Sequence, residues 1–123
     1  MRSAQVSITV RPPYTGSVIS VNHYRYPRSP HLLPEAKKWQ GDLTLMVRAE
    51  TNRVGAQFES PVHIRLTGRY RNKRLSCDYD NLHKVIGDAI EAAIGINDKE
   101  FRWQNAEPEY GVQQPEIVIE IWS

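Results

Sequence analysis

The chain has 123 residues, with 16 Lys and Arg against 14 Asp and Glu and a formal charge of +2 at neutral pH. That length suits one domain with a single core, and a charge so close to balance does not by itself mark a nucleic-acid binder. A lone cysteine excludes an internal disulfide framework, the four histidines fall at no zinc-binding spacing, and no apolar run of about 18 residues offers a membrane span or secretory leader, so a soluble protein of a reducing cytosol with no membrane partner is expected.

Gln5 to Arg11 alternates polar and apolar residues and predicts a strand ended by Pro12 and Pro13. The stretch "YTGSVISVNHYRYPRSPHLL" that follows is rich in Gly, Pro, Ser and aromatic residues, and an irregular segment of that length is either functional or mobile. Pro34 suits a first helical turn, and Trp39, Leu43, Met46 and Val47 then share one face, which predicts a helix to about Asn52 against the local preference of Gly41. "VHIRLTGRY", Val62 to Tyr70, predicts a strand. The strongest pattern comes next: Leu82, Val85, Ile86, Ala89, Ile90, Ala93 and Ile94 form an unbroken helical stripe, with Asp80 placed as N-cap and Gly95 as left-handed C-cap. "EFRWQNAE" and "PEIVIEIW" add two strands, the second with Ile117, Ile119 and Ile121 on one face. The order predicts an α+β fold, a small mixed sheet with two helices packed on one face.

Charge is distributed unevenly. Arg65, Arg69, Arg71, Lys73 and Arg74 crowd the segment before Cys77, Arg25, Arg28, Lys37 and Lys38 form a second basic group, and acidic residues dominate from Asp78 onward. Asp80, Lys84 and Asp88 recur every four residues and so share a polar stripe opposite the apolar one. Ordinary stability explains that stripe: one cap and ion pairs contributing a few tenths of a kcal/mol each. Asp78 is not explained in this way, because one capping side chain suffices. Two convergent carboxylates suit a hard divalent cation, which Mg²⁺ sites build from one or two carboxylates with water and phosphate oxygens. Such an ion polarises a phosphoryl oxygen and stabilises a leaving alkoxide. Lys84, one turn along, would stabilise charge on the same phosphate.

The continuous segment "DYDNLHKVIGDAIEAAIGINDKEF" resembles the RusA family of Holliday junction resolvases, whose core runs Asp-x-Asp-Asn-Leu-x-Lys, then Asp-Ala, a Gly-containing turn and Asp-Asp-x-Gln. "SVNHYRYPR" is similar to the family's early Asn-aromatic-Arg segment. The resemblance implies a single RusA-like domain of bacterial, prophage or phage origin, working at the nucleoid: a Mg²⁺-dependent crossover junction endodeoxyribonuclease, with Mn²⁺ as possible substitute. It further implies a homodimer that binds four-way DNA and makes paired cuts in recombination and repair. By motif position, Asp78, Asp80 and Asp98 would be the metal carboxylates and Lys84 the catalytic lysine, with Asp88 in a supporting role. The chain departs from the pattern at Asn97, where the family has an aspartate, and at Glu100, where it has a glutamine.

Helix geometry adds a constraint. The helix from Asp80 to Gly95 spans roughly 20 Å at about 1.5 Å per residue, while a Mg²⁺ ligand oxygen lies about 2.1 Å from the ion. Asp98, beyond the far end, is therefore expected from a second subunit, and a two-fold dimer with these helices antiparallel would carry two composite sites.

Arg69, Arg71, Lys73 and Arg74 directly precede the acids and are expected on DNA phosphates. Asn22, Tyr24, Arg25 and Tyr26 either stack on unpaired bases and grip phosphates or pack on the core. Trp39, Trp103 and Trp122 are read as core or dimer packing, Cys77 as a small packed thiol, and His83 as a surface histidine in preference to a general base. Two other functions compete: a nuclease for flaps, forks or other branched DNA, and a non-catalytic junction-binding protein disabled at Asn97. The intact Asp78, Asp80, Lys84 and Asp98 set speaks against the second.

Overall fold

The computed structural model describes residues 5–14, 34–77 and 79–123. The irregular segment with Asn22, Tyr24 and Arg25, and Asp78 of the acidic motif, lie outside the described residues. The elements are β1 (Ser7–Val10), α1 (Pro34–Val54), β2 (Val62–Arg69), α2 (Asp80–Ile94), β3 (Phe101–Asn105) and β4 (Glu116–Trp122), with single 3-10 turns at Lys73–Leu75 and Asp98–Glu100. The expected α+β arrangement is present. The first helix runs two residues further than its pattern implied, to Val54, and stops at Gly55, whose φ of 66° lies in the left-handed region. Gly41 sits inside that helix, and a side chain there would meet nothing.

The sheet order is β1-β4-β2-β3. β4 pairs antiparallel with both β1 and β2, whereas β2 and β3 are parallel and α2 is the crossover between them. Period-two alternation sends Val62, Ile64 and Leu66 of β2, Ile117, Ile119 and Ile121 of β4, and Ile8 and Val10 of β1 into one core. Leu43 and Val47 of α1 and Leu82, Ile86 and Ile90 of α2 close it from above, each contributing roughly 1.5–3 kcal/mol by leaving water. The alternate positions His63, Arg65, Arg69, Glu116, Glu120 and Trp122 are exposed or half-buried. Trp122 is thus not core but stacks on His63 at 5.4 Å, while Trp39 is buried and its Nε1 donates to the Pro13 carbonyl at 2.7 Å.

The two helices run side by side in the same direction. Gln40 Nε2, Thr44 Oγ1 and an Arg48 guanidinium nitrogen donate in turn to the carbonyls of Val85, Ala89 and Ala92, at 3.0, 3.1 and 3.0 Å. This ladder puts the start of α1 beside the start of α2, so both N-termini face the end of the molecule where the acidic motif begins.

Gly68 leaves room for the Tyr70 ring at the end of β2. A Cβ there would overlap the hydroxyl and ring atoms of buried Tyr70. Gly68→Ala is therefore expected to lower stability by about 1–3 kcal/mol through overpacking, read as a fall in the urea midpoint at unchanged m-value.

Candidate active site

The segment between β2 and α2 is pinned by two tyrosines that flank the site in sequence. The Tyr70 hydroxyl donates to the Cys77 carbonyl at 3.2 Å, and the Tyr79 hydroxyl accepts the Gly68 N–H at 2.8 Å. Cys77 and Tyr79, the neighbours of Asp78, are thereby tied to the core. Tyr14 packs edge-on against Tyr70, with centroids 5.0 Å apart. Burial pushes the Tyr14 hydroxyl up to about 12 and raises those of Tyr70 and Tyr79 as well, with proximity to the Cys77 thiol adding to the first two. All three hold the loop as neutral hydrogen-bonding groups.

Asp80 differs from its expected role. The cap position belongs to Tyr79, which makes no side-chain cap bond; Leu82 N–H and His83 N–H instead donate to its carbonyl at 2.8 and 3.2 Å. Asp80 is already helical, so its side chain projects outward from the first turn, and it is 92% exposed. Its carboxylate is not consumed by capping and stands at the positive end of the helix dipole, which favours negative charge there. One turn on, Lys84 Nζ lies 3.2 Å from Asp88 Oδ1, which holds the ammonium on the polar stripe above Asp80.

His83 is not the plain surface residue the sequence suggested. Its ring stacks on Trp103 at 4.3 Å and 20°, Nε2 lies 3.2 Å from Asn105 Oδ1, and Nδ1 lies 3.9 Å from Asp80 Oδ1. Trp103, expected in the core or at a dimer contact, rests half-buried beneath this histidine. Only the parallel pairing of β2 with β3 brings Trp103 and Asn105 alongside α2, which is why no local sequence signal revealed them.

Asp98 stands at the opposite end of α2. Gly95 adopts the expected left-handed C-cap at φ 76°, and the turn Asp98–Glu100 follows. Asn97, the departure from the acidic pattern, caps that turn by accepting the Lys99 N–H at 3.0 Å; an amide does this without placing more negative charge beside Asp98. Asp98 N–H donates to Glu91 Oε1 at 2.7 Å, and Glu100 accepts from the Ser60 hydroxyl at 2.7 Å. The 15 residues of α2 separate the two ends by roughly 20 Å. Asp80 and Lys84 lie one helical turn apart at the same end of α2; Asp98 does not join them within one chain. Among the described residues no three His, Cys, Asp or Glu side chains gather as a metal site.

The basic residues also divide. Arg69 is committed to Glu116 at 2.7 Å and Glu109 at 3.3 Å, and Arg11 shares Glu116 at 2.8 Å, so the charge of Arg69 is compensated within the fold. Arg71, Lys73 and Arg74 are exposed on the turn leading to the acidic motif, without an ion pair among the described residues. An open polar groove of about 710 Å³ lined by Arg71, Asn72, Gln113 and Gln114 lies beside that turn.

The family model for Endodeoxyribonuclease RusA matches residues 11–122. The chain belongs to the RusA endodeoxyribonuclease family. No curated protein matches it. RusA membership makes the chain one of a family of Holliday junction resolvase nucleases, which cleave DNA phosphodiesters and generally depend on a divalent metal. The match spans both helices and all but the N-terminal part of the sheet. Asp80 and Asp98 fit a hard cation in chemistry, because both are exposed carboxylates, and the two would serve one ion together only if the two ends of α2 met across chains. No described helix is long and apolar enough to cross a membrane.

Proposed function

We propose that this single-domain chain is a Mg²⁺-dependent crossover junction endodeoxyribonuclease, acting as a homodimer that resolves Holliday junctions by paired hydrolysis in recombination and repair. The observation that carries this reading is the separation of Asp80 and Lys84 from Asp98 by the whole length of α2. Antiparallel apposition of two α2 helices about a two-fold axis would put the Asp98 end of each chain at the Asp80 end of the other, giving two composite sites. Asp78 and Asp80 of one chain with Asp98 of its partner would hold Mg²⁺ or Mn²⁺. When bound, the ion would neutralise developing charge on the scissile phosphate and its leaving oxygen.

The chain's own residues do the rest. Lys84, aligned by Asp88, stabilises charge on a non-bridging phosphate oxygen. The Tyr70 and Tyr79 hydroxyls tie Cys77 and the start of α2 to the core. Arg71, Lys73 and Arg74 grip the backbone of an approaching arm, and Asn22, Tyr24 and Arg25 contribute to the junction surface by motif position. Two sites related by a dyad suit two strands of like polarity.

Cleavage of a fixed synthetic four-way junction tests the proposal, with linear duplex and flap controls and EDTA in place of metal. Symmetric paired nicks that vanish in EDTA support it; cuts in flaps alone assign the chain to other branched DNA, and tight binding without cuts under any divalent metal marks a non-catalytic binder. Salt dependence of junction affinity separates the arginines. Arg71→Ala, Lys73→Ala and Arg74→Ala are each expected to flatten the slope of log K against log salt by about one unit. Arg69→Ala should leave the slope nearly unchanged, because Glu109 and Glu116 already neutralise that side chain.

A further inference from the structure

His83 follows Asp80 by three positions, so the two side chains neighbour each other on one side of α2. The histidine ring has little freedom. It is stacked on Trp103 at 4.3 Å, and Trp103 is itself packed against α2 at Gly87, where a Cβ would come within 3.3 Å of the indole. Asn105 Oδ1 lies 3.2 Å from Nε2, and an amide oxygen only accepts, so in this contact Nε2 is the donor side of the ring and Nδ1 is the side turned towards Asp80. That nitrogen lies 3.9 Å from Asp80 Oδ1, too far for a hydrogen bond between them.

The gap between Nδ1 and Oδ1 is the size that a shared divalent cation needs. Donors bound about 2.1 Å from one divalent ion stand about 3.0 Å apart at right angles and about 4.2 Å apart when opposite. The observed separation falls inside that range. Histidines that ligate metals also donate their other ring N–H to an oxygen that fixes tautomer and orientation, which is what Asn105 provides here.

We propose that His83 Nδ1 is a nitrogen ligand to the divalent ion held by Asp80, with Trp103 and Asn105 as positioning residues. The consequence is a site of mixed nitrogen and oxygen donors that prefers Mn²⁺ over Mg²⁺, because imidazole suits transition ions whereas Mg²⁺ keeps to oxygen. The proposal rests on the reading of Asp80 as a metal carboxylate.

Pulsed electron paramagnetic resonance of Mn²⁺ bound to the intact chain detects a directly coordinated imidazole as ¹⁴N modulation. The wild type should show it. His83→Phe keeps a ring on Trp103 and should keep the melting temperature, yet lose the modulation and bind Mn²⁺ at least about tenfold more weakly, with a much smaller change in Mg²⁺ affinity measured by competition. Asn105→Leu should weaken Mn²⁺ about tenfold by releasing the ring. Bound Mn²⁺ without ¹⁴N modulation in the wild type, or modulation retained in His83→Phe, overturns the assignment. Asp80→Asn keeps the two readings apart: if it abolishes Mn²⁺ binding while the wild type shows no ¹⁴N coupling, only the histidine ligand is wrong, and if it binds Mn²⁺ like the wild type, the reading of Asp80 fails and the histidine proposal with it.

Discussion

Asp80→Asn is expected to lower junction cleavage by roughly a hundredfold to a thousandfold or more, about 3–4 kcal/mol of transition-state stabilisation, while junction affinity stays within a few-fold of wild type. The change is one atom in size, so the geometry of the first turn survives. Stability should hardly move either. The carboxylate is 92% exposed and makes no cap bond, so the loss should stay within about 0.5 kcal/mol, against the roughly 1 kcal/mol that a capping aspartate would cost. Under the proposed reading binding persists, because phosphate contacts from Arg71, Lys73 and Arg74 would carry it, and removing a negative charge near the backbone favours it slightly. Cleavage rates and junction affinities measured on the same preparation, together with a denaturation curve, separate these effects. A large drop in stability with proportionate loss of cleavage would return Asp80 to a structural role.

Most of the fold was legible because its periodicities were clean. The stripe from Leu82 to Ile94 and the alternation from Ile117 to Ile121 each specify one buried face, and both elements lie where those patterns put them. Gly95 signalled its own left-handed cap. Asp80 was misplaced by a single position, because Asp at the head of an apolar stripe is the usual sign of a cap, while Tyr79 entered the helical region first and took the place.

What sequence could not show was long-range. Nothing in "FRWQN" indicates that Trp103 and Asn105 would sit under His83, since this follows from β3 joining β2 in parallel across a helix. Nor does the basic run reveal that Arg69 faces Glu109 and Glu116, more than thirty positions away. The spacing of Asp80 and Asp98 was legible, because helix length is set by residue count, and it is what motivates the proposed second chain.

Subunit mixing addresses the proposed sharing of sites between chains most directly. Homodimers of Asp80→Asn and of Asp98→Asn each lack both composite sites and should be nearly inactive. If the sites are shared between chains, a heterodimer of the two variants collects both substitutions in one site and leaves the other intact. Equal mixing should then restore about a quarter of the wild-type site concentration, since about half the dimers are mixed and each has one of two sites. The products should be single nicks in place of paired cuts. Recovery of nicking on co-refolding the two inactive variants is the predicted result; a mixture no more active than either parent, with heterodimers present, would contradict the account.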